Sequence, residues 1–278
     1  VTFVLDTRTP RVLAALLAGA ALGLAGTLVQ AVTRNPLAEP GVLGVSGGAA
    51  LGAVLVTMTP LAGSWGIAGA AFTGAAITAV IVFGLAARGG FHQNRLVLIG
   101  VAASTGTTAL IGLIIVLTDP FNATKALIWL SGSTYGRTVP DVLPTAAVLV
   151  AATVAVVIQR EELDLVSLDD DTPRLLGMRL ARRRLWFLGI AVLLAATAVA
   201  AAGTIGFAGF VAPHAARALV GRRHVRVVPV AMLLGATLVT TADLLGRTVI
   251  APAQLGAGLV TAVVGTPYFL YLLTRSRR

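Results

Sequence analysis

Long apolar runs separated by short polar breaks dominate the chain. Runs long enough to cross a bilayer, or nearly so, are 12–32, 41–60, 66–87, 96–117, 141–159, 185–207, 227–246 and 256–274. A helix needs about 20 apolar residues to cross the ~30 Å hydrocarbon core. A ninth run, 209–220, is about half that length and follows 185–207 after almost no loop. Apolar positions are continuous within each run and do not alternate, which argues for helices and against a barrel. The pattern predicts an all-α polytopic membrane protein. It has nine visible transmembrane helices and one transmembrane domain over 1–278, with the ninth crossing buried in protein.

Two breaks are unusual. The first, "RNPLAEPGVLGVSGGAALG" at 34–52, stops an apolar run at Arg-Asn-Pro, carries the lone Glu39 and restarts among glycines. Pro cannot continue a helix interior, so Pro36 and Pro40 end one helix and start the next. The second, "REELDLVSLDDDTPRLLGMRLARRR" at 160–184, is the longest polar stretch and holds six of the eleven acidic residues. Ser167 or Asp169 can cap a helix there, Pro173 falls early in it and Gly177 at its end. Two short surface helices are expected. Leu163, Leu165, Leu168, Leu175 and Leu176 stand among the charges, and a merely solvated loop does not need them.

Composition agrees with a membrane protein. The 278 residues are 57% hydrophobic and 12% charged, against about 25% charged in soluble domains. Mean hydropathy is +0.92. The apolar residues are mostly Ala, Val, Leu and Gly, and small residues let helices approach closely in lipid. There is no cysteine, which excludes disulfides, thiol catalysis and Cys metal sites.

The net charge of +10 is placed asymmetrically. With the first residues outside, fifteen Arg fall on the cytoplasmic side: Arg34, Arg88, Arg95, Arg160, Arg174, Arg179, Arg182–Arg184, Arg222, Arg223, Arg226, Arg275, Arg277 and Arg278. Five basic residues fall outside: Arg8, Arg11, Lys125, Arg137 and Arg247. Only this parity satisfies the positive-inside rule, and it requires the short ninth crossing. The charge therefore marks membrane topology and not a nucleic-acid partner. An external first residue that is Val and not Met implies one further helix upstream, ten in all.

Catalytic patterns are missing. There is no Walker A, G-x-S-x-G or H-E-x-x-H motif, so no enzyme activity, metal or cofactor is expected in this chain. The three histidines are scattered: His92 and His224 fall in basic inner loops, and His214, at the start of the short span, reads as a structural hydrogen-bonder. Asp243 and Arg247, four apart near the outer end of a helix, read as a local ion pair. Apart from Arg217, no ionisable residue is expected at mid-membrane. The chain reads as a passive pathway driven by a partner.

The motifs together resemble the FecCD-type permeases, membrane subunits of ABC importers for ferric siderophores, haem and cobalamin. The similarity is carried by "NPLAEPGVLGVSGGAALGA", "TRTPRVLAALLAGAALGLAGTLVQ", "LIWLSGS", "LVSLDDDTPRLLGM", "GTIGFAGFVAPHAARALVG", "HVRVVPVAMLLGATLVTTADLLGR" and "AQLGAGLVTAVVGTPYFLYLL". It covers essentially the whole chain. It implies a bacterial inner (cytoplasmic) membrane location and a complex with three kinds of partner. These are a second permease, identical or homologous, two ATP-binding cassette subunits that use ATP, and an extracytoplasmic substrate-binding protein.

The resemblance also implies residue roles. Asn35 and Leu37 match positions that narrow the cytoplasmic exit. Ser167, Leu168, Leu175, Leu176, Gly177 and Met178 match the coupling helices that dock on the ATPase, within the loop 160–184. Arg8, Arg11 and Arg247 match positions that contact acidic residues of the binding protein. The pathway of such proteins is lined by small, weakly polar groups, and the binding protein selects the ligand. Ferric siderophore is the leading cargo, with haem and cobalamin as alternatives. A proton-coupled secondary transporter is the competing class and would need ionisable residues at mid-membrane.

Overall fold

The computed structural model describes residues 8–59, 64–88, 93–249 and 254–275. Pro60, His92, Arg277 and Arg278, placed above in spans or loops, lie outside them. Among the described residues there is no strand. The order is α1 Thr9–Thr33, a 3-10 turn Pro40–Leu43, α2 Val45–Thr57, α3 Ser64–Ala87, α4 Gln93–Leu117, α5 Pro120–Leu130, α6 Val139–Ile158, α7 Arg160–Val166, α8 Asp171–Leu175, α9 Leu180–Ala202, α10 Ala208–Val220, α11 His224–Thr248 and α12 Ala257–Arg275.

Among the described residues, six helices are long and apolar enough to cross a membrane: α1, α3, α4, α6, α9 and α11. The other three expected spans also form helices. However, α2 and α10 have 13 residues each, and α12 is apolar over only Ala257–Tyr268 among its described residues. Length alone therefore carries six crossings and not nine. The proline-rich break explains the short α2, since a 3-10 turn occupies the start of the apolar run.

Helices α1 and α9 form the centre. In each, 72% of the most apolar stretch is buried, against 11% in α4. α1 packs on α6, α9, α10 and α11. It can do so because its glycines let other backbones touch it. A methyl group on Gly19 would overlap the carbonyl of Gly235, and one on Gly26 would overlap the carbonyl of Gly209. The peripheral helices expose large apolar residues, among them Val80, Leu98, Val116 and Ile158. Lipid or a second subunit must cover them.

One helix had no counterpart among the runs read from the sequence. α5 starts at Pro120, and the Asp119 carboxylate accepts from the N–H groups of Phe121 and Asn122, both at 3.1 Å. Its cap and first-turn proline were legible, but its 11 residues are too few for a membrane-length search.

The antiparallel pair α1 and α11 defines two ends. One carries Arg11 and Asp243. The other carries Arg34, α7, α8 and the start of α9, and it is the arginine-rich end that the positive-inside rule assigns to the cytoplasm.

Candidate functional site

At the outer end, Arg11 is held inside the fold. Its Nη2 lies 2.9 Å from Asp243 Oδ1, with side-chain exposures of 12% and 6%. Arg11 Nε donates to both Asp243 oxygens at 3.1 Å, and Nη1 donates to Gln254 Oε1 at 3.1 Å. Thr134 Oγ1 donates to the same carboxylate at 2.6 Å. Asp243 thus pairs across 232 residues with Arg11 and not, as expected, with Arg247 one turn away. The cross-bundle fork wins because it satisfies the carboxylate with several convergent donors. Arg247 is half-buried, and its Nε has no hydrogen-bond partner among the described residues. Arg8 is exposed just before α1.

Midway along α1 two helix breaks meet. After Thr33 the chain turns at Asn35, whose Oδ1 accepts from the Leu37 N–H at 2.9 Å. This small turn joins Asn35 and Leu37, and both are at least partly exposed. The chain then climbs back to Glu39 and Pro40. From the other side, residues 203–207 descend from the end of α9 to the start of α10. Gly203 and Phe207 both have positive φ, 72° and 64°. The Phe207 N–H donates to Glu39 Oε2 at 3.2 Å. A cavity of about 140 Å³ lies at this junction, lined by Leu22, Glu39, Pro40, Ser46, Thr204 and Gly209 among others.

Leu22 is the fourteenth of α1's 25 residues, so Glu39 sits near mid-depth. This corrects the expectation that only Arg217 would be ionisable there. Glu39 was visible as a lone acid between apolar runs. Its partner was not, because the contact spans 168 residues. Its carboxylate faces the N-terminal end of α10, whose amides lack intrahelical partners and favour an anion. Non-helical backbone is tolerated at such depth where it lines a cavity or lies within protein.

Arg217 hydrogen-bonds Gln30 of α1, and Gln30 Nε2 donates to the Phe210 carbonyl at 3.3 Å. His214 stacks on Phe210 at 6.3 Å and meets the edge of Tyr268 at 6.1 Å. His214 was expected to act as a structural hydrogen-bonder, and the contacts seen here are ring contacts.

At the arginine-rich end the 160–184 loop forms the two expected short helices. Asp169 caps α8, accepting at Oδ1 from the N–H of Asp171 at 2.9 Å and of Thr172 at 2.6 Å. Ser167 does not cap α8. It closes α7, donating to the Asp164 carbonyl at 2.7 Å. Gly177 ends α8 with φ of 80°.

The leucines divide. Leu163 and Val166 are fully buried, whereas Leu168, Leu175 and Leu176 are 61%, 87% and 66% exposed. Beside them opens a groove of about 920 Å³ lined by Leu176, Gly177, Met178, Arg182 and Trp186 among others. α7 is tied to the bundle through Asp164, which meets His224 Nδ1 at 2.5 Å and accepts from the His224 N–H at 3.0 Å. His224 is therefore a buried anchor at the head of α11, not a loop residue.

A polar feature on α4 was not singled out from the sequence. Thr105, Gly106 and Thr108 are exposed on this least-buried helix, and Ser104 donates to the Gly41 carbonyl at 3.0 Å. The signal was present as "ASTGTT", but only the structure shows that it faces outward. No group of three or more metal-ligating side chains occurs among the described residues.

Comparisons with known proteins agree with this geometry. The chain is 41% identical over 272 residues to the iron(3+)-hydroxamate import system permease protein FhuB of Salmonella typhimurium. That match takes in 98% of this chain but 40% of the relative's length. It is 37% identical over 282 residues to a siderophore transport system permease protein, YfhA, of Bacillus subtilis, covering 99% of this chain and 82% of the relative. Among solved structures, a metal-chelate type ABC transporter in an inward-facing conformation superposes with a TM-score of 0.91 at 29% identity. The superposition covers 99% of this chain and 88% of that one. Residues 1–275 match the FecCD transport family, and the chain belongs to that family.

Proposed function

We propose that this chain is the membrane subunit of a binding-protein-dependent ABC importer for ferric siderophores, in the bacterial cytoplasmic membrane. The observation that carries this is the arginine-rich end. It offers three exposed leucines and an open groove on a capped, anchored loop. Such a surface suits docking to a motor that performs the chemistry elsewhere. In this reading Leu168, Leu175, Leu176, Gly177 and Met178 meet an ATP-binding cassette subunit, and Ser167 shapes the loop that carries them. The complex has two such subunits, a second permease of the same or a homologous kind, and an extracytoplasmic binding protein. Nine crossings are counted by admitting α2, α10 and α12 as short spans. The hydroxyl-bearing face of α4 borders the pathway, and Asn35 and Leu37 narrow its cytoplasmic exit.

Glu39 at mid-depth is the observation that favours a proton-coupled carrier, since membrane-embedded acids are common in proton relays. Its contact to the head of α10 supports a structural role instead. Energy source decides between them. Uptake of a ferric hydroxamate into vesicles should require internal ATP and survive an uncoupler. Uptake that collapses with the uncoupler and ignores ATP would overturn the importer reading. The same vesicles, supplied with haem or cobalamin and the cognate binding protein, identify the cargo class.

The outer arginines give a second test. Arg11 is paired with Asp243 inside the fold, and Arg8 and Arg247 at the same end are the two positions to test for contact with the binding protein. Converting both to Glu should weaken binding-protein docking by about tenfold at low salt, the sum of modest rim contributions. The difference should shrink as salt rises, because exposed charges are screened over ~8–10 Å. Arg11→Glu should instead lower the yield of folded permease, because it leaves a buried carboxylate facing another. Wild-type docking by the double variant at low salt would remove Arg8 and Arg247 from the interface.

A further inference from the structure

The Asp170 carboxylate joins two guanidinium groups on different elements. Its Oδ1 lies 2.6 Å from Arg184 Nη2 and 2.6 Å from Arg34 Nη2. The two partners are not equivalent. Arg184 is 2% exposed at the base of α9 and forms a fixed anchor. Arg34 is the C-cap of α1, directly before Asn35 and three residues before Leu37. It adopts φ of 49° and ψ of 29°, a left-handed conformation uncommon for a residue with a Cβ. Arg34 also donates to Gln93 Oε1 at 3.1 Å, and Gln93 Nε2 donates to the Val32 carbonyl at 2.9 Å. The end of α1, the start of α4 and the 160–184 loop therefore share one hydrogen-bonded hub.

The loop side of this hub is electrostatically stiff. The Arg184 hydrogen bond, with the charges of Arg184, Arg34 and Arg174, holds the Asp170 carboxyl below its ordinary range despite partial desolvation. At neutral pH it is a charged strut. Arg174 on α8 lies further off, 3.8 Å from Oδ2. The other end of the hub is a single residue, because Arg34 is bonded through the backbone to Asn35. A displacement of Asp170 relative to α1 larger than the Arg34 side chain can follow by rotation must either break the Arg34 pair or move the turn at 35–37.

We propose that the Asp170–Arg34 ion pair transmits movement of the 160–184 loop to the inner constriction, with Arg34 acting as a positioning residue for Asn35 and Leu37. This rests on the reading of the loop as the ATPase-docking surface. In this reading Arg34 acts through Asn35 and Leu37 and not by direct contact with motor or cargo. Its loss should leave the complex assembled while opening of the constriction no longer follows the motor.

The test uses the whole transporter, reconstituted with its ATPase and binding protein. Arg34→Met removes the charge and keeps the side-chain length, and Asp170→Asn removes the other half. Ferric hydroxamate imported per ATP hydrolysed should fall about tenfold in each single variant, a typical coupling between sites. The double variant should fall no further, since residues acting through one contact are not additive. Arg34→Lys should recover part of the loss. A purely structural role would lower yield and thermal stability in parallel and leave import per ATP unchanged, and that result overturns the proposal.

A second readout does not depend on the motor. The chain has no cysteine, so Leu37→Cys introduces a single thiol. Its rate of reaction with a water-soluble maleimide should change several-fold when combined with Arg34→Met or Asp170→Asn. Unchanged labelling in both backgrounds overturns the proposal. If the wild-type chain never retains an ATPase, the importer reading fails, and the labelling result still decides whether this ion pair sets the turn.

Discussion

Replacing Leu175 and Leu176 together with aspartate is expected to release the ATP-hydrolysing subunit and to abolish ATP-driven uptake, with the permease still folded. The two side chains are among the most exposed leucines at the arginine-rich end, at 87% and 66%. In the isolated chain they bury little, so their loss has little to destabilise. Docked and fully buried in an apolar pocket, each leucine gains about 2 kcal/mol. Two together come to about 4 kcal/mol, roughly a thousandfold in affinity. Aspartate adds a cost that alanine does not, because a carboxylate at the contact must be desolvated. It also enlarges the acidic cluster of Asp169, Asp170 and Asp171.

Co-purification of the ATPase from detergent measures the first half of the expectation, and vesicle uptake the second. Leu163→Asp is the contrasting variant. Leu163 is fully buried on the inner side of α7, so this change should reduce the amount of folded permease itself. If the Leu175/Leu176 variant retains the ATPase and transports normally, the docking surface lies elsewhere. The groove beside Met178 and Trp186 would then be the next region to alter.

The contrast between Leu163 and Leu175 shows what could be read from the sequence and what could not. Cap residues, an early proline and a terminal glycine placed two short helices in 160–184, because such signals act within a few residues. Which leucines would face outward was not local information. It depended on where α1, α9 and α11 pack against α7. Asp243 makes the same point. Its spacing to Arg247 suggested a pair within one helix, and that inference is sound for an isolated helix. In the bundle, the convergence of Arg11, Thr134 and Asp243 at one end decides the partner. Long apolar runs, by contrast, announced α1, α3, α4, α6, α9 and α11 directly, since bilayer thickness imposes a length that is visible in one dimension. The short helices α2, α5 and α10 escape that rule, and two of them flank the breaks where Glu39 and Phe207 meet.

The packing of α1 supplies the other large expected effect. Gly26→Val should prevent formation of the folded permease. Gly19, Gly23 and Gly26 lie on one face of α1, at the four- and three-residue spacing that places helix positions in register. Each lets another backbone come into contact. Gly19 faces Gly235, Gly23 faces the carbonyl of Ala231, and Gly26 faces the backbone of Gly209. Apolar side chains gain little from burial against one another in lipid, so this close backbone approach is a main source of cohesion. A methyl group at Gly26 would overlap the Gly209 carbonyl. That carbonyl cannot easily withdraw. It belongs to the first turn of α10, with Pro40 packed on one side and the left-handed Phe207 two residues before it. Relief would require α10 to move away from α1, which would also part Glu39 from the Phe207 N–H. Overpacking a well-filled core costs about 1–3 kcal/mol when side chains can adjust, and here only backbone is available to move. The measurement is the monodisperse fraction in mild detergent and its thermal midpoint. Gly112→Val on α4 is the control, since nothing lies within 4 Å of an added Cβ there, and it should purify like wild type. Equal yields of the two variants would show that α1 and α10 can separate without loss of the fold, and α1 would then not be the post on which the bundle is assembled.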